Sequence, residues 1–168
     1  MKYLFLLLMI PAVSCGQTYY IVRHAEKESQ GIGSGSMMTN DPPLSAAGKT
    51  RAVELKELLK NKNIHYIFST NTIRAKTTAQ PTADYFGLKI EVYGPVPDSA
   101  FINKLRSLKK NTLIAGHSNT VDDIVNMLCN EVKVAGDLKD SEYDNLFMVK
   151  KKRNRYIFSR KPYGLPAQ

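Results

Sequence analysis

Four short apolar runs, Tyr19–Arg23, Ile64–Ser69, Lys89–Val92 and Thr112–Ala115, alternate along the chain with segments of helical period. That alternation limits the architectures open to it, because strand, helix and strand in succession build a parallel sheet covered by helices. The helical segments carry their own start and stop signals. Ser45 can cap a helix running to about Lys62, in which Ala52, Leu55, Leu58 and Leu59 share one face. Asn71 or Thr72 opens a second helix, which Gly87 ends after Phe86. Asp98 or Ser99 caps a third carrying Phe101, Ile102, Leu105 and Leu108, and a fourth spans Asn119 to Asn130. Two final β-like runs, Leu146–Val149 and Tyr156–Phe158, suit an added hairpin or edge. The expected fold is α/β, a three-layer sandwich with a mainly parallel sheet flanked by helices on both faces. With 168 residues, 43% of them hydrophobic, the chain has room for one such domain.

Polar residues of a particular kind cluster where three of these strands end. The first runs into Arg23, His24 and Ala25, and the fourth into Gly116, His117 and Ser118. Just past the second comes Ser69-Thr70-Asn71-Thr72-Ile73-Arg74-Ala75. In open α/β sheets ligands bind at the carboxyl ends of the strands. An imidazole that can act as nucleophile, ringed by guanidinium groups, suits phosphate esters above other substrates.

In these residues the chain resembles the histidine phosphatase superfamily, the phosphoglycerate-mutase-like proteins, and within it the smaller first branch. The family's Arg-His-Gly or Arg-His-Ala reads here as Arg23-His24-Ala25, and its Ser-x-x-x-x-Arg-Ala-x-x-Thr as Ser69 to Thr78. Its Gly-His reads as Gly116-His117, and its Leu-Ser/Thr-x-x-Gly helix start as Leu44 to Gly48. The likeness runs from about Tyr19 to Leu128. It implies a phosphoric monoester hydrolase of the histidine acid phosphatase kind. His24 would be the nucleophile that becomes phosphorylated, and Arg23, Arg74 and His117 would hold the phosphate. His117 would supply a further donor, beside a helix whose first N–H groups also favour an anion. His65, at a strand start outside every motif, reads as structural.

The leaving group needs a general acid, usually a carboxylic acid in this family. The sequence departs from the mutase pattern here. Asp98, after Gly94-Pro95-Val96-Pro97, stands at about the right place and also reads as a helix cap, with Glu26 and Glu91 as alternatives. No cofactor and no metal are implied, since the three histidines lack ligand spacing. A long connection from Glu26 to Pro43 leaves His24 directly and should rim the site. Its Gly31, Gly33 and Gly35 read as flexibility, because the lysine and hydroxyl of a nucleotide-binding loop are missing.

The amino terminus reads as an export signal. Met1-Lys2 is followed by the apolar stretch Tyr3–Val13, short of the roughly 20 residues that span a bilayer. The expected division is a signal peptide over residues 1–16 and the phosphatase domain over residues 17–168, which places the product in the periplasm or outside the cell. The alternative is a lipoprotein anchored at Cys15, disfavoured because so short a tether precedes Tyr19. A membrane partner is expected only in that case. Cys129 then reads as a lone thiol filling apolar space.

The formal charge of +9 collects near the end, in Lys150, Lys151, Lys152, Arg153, Arg155, Arg160 and Lys161. The preferred reading is a solvated hairpin tip. An anion-attracting patch is the alternative, and no nucleic-acid partner is expected because no aromatic residues interleave. The partner implied is a small-molecule phosphomonoester or another phosphorylated substrate. Two other functions fit the motifs less well. A phosphoglycerate-mutase-type phosphotransferase sits badly with export, and a non-catalytic phosphate-binding protein sits badly with retention of His24. Phosphohistidine phosphatases share the small size, though export counts against a cytosolic signalling target. The motifs leave the substrate's identity and the oligomeric state open.

Overall fold

In the computed structural model, which describes residues 16–28 and 41–166, each apolar run becomes a strand. The parallel strands are β1 (Thr18–Arg23), β2 (Tyr66–Thr70), β3 (Ile90–Tyr93) and β4 (Thr112–Gly116). Between them run α1 (Ala46–Leu59), α2 (Ile73–Phe86) and α3 (Ser99–Leu108), and α4 (Val121–Cys129) follows β4. The antiparallel hairpin of β5 (Asn145–Lys152) and β6 (Arg155–Pro162) adds to β1, giving one six-stranded sheet in the order β3-β2-β4-β1-β5-β6. The architecture is the expected one.

Alternation along the strands divides the core in two. Tyr19, Ile21, Phe68 and Ile114 face one way and pack with Ile102, Leu105, Ile124 and Leu128 of α3 and α4. Tyr20, Val22, Ile67 and Leu113 face the other way and pack with Leu55, Leu59, Ala79 and Ala83 of α1 and α2. Burying a Leu or Ile side chain fully is worth about 2 kcal/mol, so each layer is held mainly by this contact.

The helix starts follow local chemistry. Ser45 accepts from Gly48 N–H at the head of α1, Thr72 from Ala75 N–H at the head of α2, and Asp98 from Phe101 N–H at the head of α3. Gly87, at φ 64°, ends α2 in the left-handed conformation expected of it. The fourth helix starts at Val121 and not at Asn119, because His117 to Thr120 form a turn first. Cys129 is a free thiol at the end of α4, half-buried against the core. The glycines of the long connection, Cys15 and the apolar amino-terminal stretch lie outside the described residues.

The basic cluster divides in space. Lys150, Lys152, Arg153 and Arg155 surround the hairpin turn, whereas Arg160 lies opposite Phe147, well down the ladder, and binds Glu142 and Asn145. The preference for one continuous tip is corrected for Arg160 and Lys161, which the eight-residue strands carry away from the turn.

Candidate active site

Strand register alone brings the two motif histidines together. β1 and β4 are parallel neighbours with Arg23 level with Gly116, so the next residues, His24 and His117, emerge side by side. Their rings meet edge to face with centroids 5.3 Å apart. β2 flanks β4 on the far side, and Thr70 at its end reaches His117 Nε2 at 2.9 Å. From the first turn of α2, Arg74 places Nη2 3.4 Å from His117 Nδ1.

His24 is buried, with 4% of its surface exposed. Its Nδ1 lies 2.8 Å from the carbonyl of Ala25, so Nδ1–H donates there and Nε2 keeps the lone pair. Its pKa is pushed down to about 3, first by burial and then by the charges of Arg23 and Arg74, against the pull of the Ala25 carbonyl. A neutral, oriented imidazole is the form a nucleophile requires.

His117 is neutral as well, with its pKa pushed down to about 4 by burial first and by Arg74 next. Because Arg74 can only donate, Nδ1 accepts from it and the proton on Nε2 is given to Thr70 Oγ1. The free donor that the family likeness implies on His117 is thus already engaged. The helix beside it departs from expectation too. Thr120 and Val121 donate their N–H groups to the His117 carbonyl, and Asp122 and Asp123 stand in the first turn of α4. That helix start offers an anion little, because its leading donors are taken and its nearest charges are negative.

The two arginines are fixed from outside the motifs. Arg23 Nη1 donates to the carbonyl of Lys139 at 2.7 Å, and its guanidinium lies 4.2 Å from the centre of the Tyr143 ring. Arg74 Nη1 donates to Asp41 Oδ1 at 2.8 Å, while Asp41 Oδ2 accepts the first N–H of α2 from Ile73 at 2.7 Å. In both arginines the Nε is buried with no acceptor among the described residues. Thr78 joins the two sides of the pocket, accepting from Ala25 N–H at 2.9 Å and donating to the carbonyl of Arg74 at 2.8 Å.

Two glycines permit this assembly. A Cβ on Gly116 would stand 2.6 Å from both Thr120 Oγ1 and the Tyr93 hydroxyl, and one on Gly48 would run into the carbonyl of Glu26. The second contact lets α1 press on the segment leaving His24, where Ser45 N–H also donates to Glu26 O.

The carboxylates divide by partner. Glu26 sits in a fork with Arg51 at 2.9 Å from Nε; burial raises its pKa, but the bonds from Arg51 outweigh it and hold the group below its usual range. Glu91 pairs with Lys104 on the surface. Asp98 caps α3 at the carboxyl end of the sheet, and among the described residues no hydrogen bond or ion pair joins it to Arg23, His24, Arg74 or His117. Two carboxylates that sequence reasoning missed do reach this cluster: Asp41, 2.8 Å from Arg74 Nη1, and the exposed Asp140, 3.4 Å from Arg23 Nη2. His65 lies at the other end of the sheet. Among the described residues no cluster of His, Cys, Asp or Glu could hold a metal ion.

Residues 19–94 match the model of the histidine phosphatase superfamily, branch 1. Over that stretch, a little under half of the chain, the sequence is similar to that family. The matched stretch includes Arg23, His24 and Arg74 and stops before His117, which the sheet supplies. A protein histidine phosphatase SixA solved with tungstate is 18% identical, with 87% of this chain and 97% of that one covered and a TM-score of 0.66. A mycobacterial glucosyl-3-phosphoglycerate phosphatase is 14% identical, with 91% and 100% covered and a TM-score of 0.61. At such identities the likeness is one of fold. No curated protein matches the chain.

Proposed function

We propose that the protein hydrolyses phosphomonoesters through a phosphohistidine on His24. Nε2 attacks phosphorus as the ester P–O bond breaks, and the departing oxygen takes a proton from a carboxylic acid. Water then attacks phosphorus, the P–N bond breaks, and inorganic phosphate leaves. The observation that carries this reading is the fixed tautomer of His24, whose lone pair is directed away from its own backbone beside two guanidiniums and a second imidazole. Arg23, Arg74 and His117 would hold the phosphoryl oxygens, and the two buried Nε–H groups are suited to that work. His117 joins by letting go of Thr70. A protein of related fold was solved with tungstate, an oxyanion of phosphate-like shape, which is in keeping with a phosphate ligand for this fold.

For the acid, Asp98 keeps first place by its position after β3, and Asp41 is the competitor by contact. Export is part of the proposal, with the mature chain starting at Gln17 or at a lipid-bearing Cys15. Mass spectrometry of the native amino terminus distinguishes these, and an intact Met1 on a cytosolic product would reject both. The activity itself is tested by assaying a panel of phosphomonoesters alongside nitrophenyl phosphate. His24→Ala should abolish turnover of all of them, and near-normal turnover in that variant would overturn the mechanism.

A further inference from the structure

The end of the sheet opposite His24 gathers positive charge from parts of the chain far apart in sequence. Thr18 is level with Lys150, and Tyr19 and Tyr66 are both level with Thr112. The turns before β2 and β4, the start of β1 and the β5–β6 tip therefore share one face. Hydrogen bonds knit them together. Thr18 N–H donates to Asn111 Oδ1 at 2.8 Å, Asn111 Nδ2 to the carbonyl of Lys62 at 2.6 Å, and Lys151 N–H to the carbonyl of Gln17 at 2.8 Å. Lys62, Lys109, Lys110, Lys150, Lys152 and Arg153 are all exposed there. Of the carboxylates near this end, Glu57 and Glu131 are each paired with a lysine, and Asp84 accepts from Gln80. At the opposite end, some 20 Å away along β1, stand Glu26, Asp41, Asp98, Asp122 and Asp140.

The chain enters this basic face at Gly16, which packs against Lys151 and the stem of Lys150. Only Ser14 and Cys15 separate Gly16 from the apolar stretch Tyr3–Val13. A tether too short to reach from a bilayer to a neutral domain is long enough for a domain whose entry face itself sits on the bilayer. We propose that this face docks on anionic lipid headgroups, leaving His24 pointing away from the membrane and open to substrate. The inference is independent of the chemistry proposed at His24. A nucleic acid would meet the same charge, but the chain enters this face at Gly16, directly after Cys15, the residue that would carry a lipid in the lipoprotein form, and this favours lipid headgroups.

Sedimentation of the full chain with vesicles tests it. Neutral phosphatidylcholine reports any contribution of the apolar segment, and partial replacement by phosphatidylglycerol adds only the electrostatic part. The protein should prefer the anionic vesicles, and the preference should weaken with salt. The combined change Lys150→Glu, Lys152→Glu and Arg153→Glu should lower anionic partition about a hundredfold and leave neutral partition alone. Lys109→Glu with Lys110→Glu should act in the same direction from a separate turn. Unchanged circular dichroism would show both variants folded. Equal binding to the two vesicle types, or charge-reversed variants that retain the preference, would overturn the proposal. So would a single-stranded RNA that binds more tightly and strips the protein from anionic vesicles.

Discussion

His24 and His117 are held neutral far below the ordinary imidazole range, at about 3 and about 4. The nucleophile should therefore survive acidification. With nitrophenyl phosphate, whose leaving group needs little protonation, the acid limb of kcat/KM should fall near pH 4 or below; a limb centred near 6.5 would show that the burial of these rings is not what sets their charge. Stability follows the same sign. An unfolded chain binds protons on both rings below about 6.5 while the folded one refuses them, so stability is full above that pH and declines as pH drops toward 4. Each ring can contribute a slope of at most about 1.4 kcal/mol per pH unit, measurable as a falling urea midpoint that flattens in the His117→Ala variant. The charges around the phosphate pocket make opposite predictions. Arg74→Ala removes charge-assisted bonds and should weaken inhibition by inorganic phosphate about tenfold or more. Asp41→Asn keeps the shape and removes a negative charge, so phosphate should inhibit more strongly, on the order of fivefold at most. Asp98→Asn, if Asp98 is the acid, should slow alkyl phosphates far more than nitrophenyl phosphate; equal slowing of both would pass the role to Asp41.

Between elements, the site depends on close approaches that a single methyl group would spoil. Gly116→Ala sets a Cβ against Tyr93 and Thr120, the residue whose hydroxyl accepts His117 N–H at 2.8 Å. Overpacking of this kind costs about 1–3 kcal/mol, and thermal unfolding should show that loss together with reduced turnover. Wild-type stability in this variant would mean that the strand ends yield more easily than their packing implies. Much at this scale was legible from sequence. The helix starts at Ser45, Thr72 and Asp98 declare themselves through side chains that can accept a backbone N–H, and Gly87 through its tolerance of the left-handed conformation. Other features were not. Asp41 and Tyr143 are brought to Arg74 and Arg23 by long connections with no periodicity, and no local pattern states where such a segment lands. The engaged state of His117 was equally hidden, since it depends on which neighbour strand ends beside it.

Across the whole molecule, the sheet sorts charge as well as chemistry. Parallel strands send every motif residue to one end, and the turns that reverse the chain collect lysine at the other. The sequence shows basic residues gathered near the chain's end, but only the strand order β3-β2-β4-β1-β5-β6 shows that Lys62, Lys109 and Lys110 join part of them on one face. The order also explains why two histidines 93 positions apart can serve one phosphorus atom: their strands are adjacent and in register. Whether they do so is decided by trapping the intermediate. Mixing the protein with a phosphate-labelled aryl ester and quenching within milliseconds should capture label on the protein, stable to alkali, lost in acid, and located by peptide mapping to His24. The same experiment on His24→Ala should capture none. Label on another residue, or full turnover with no labelled protein at any quench time, would contradict a phosphohistidine at His24.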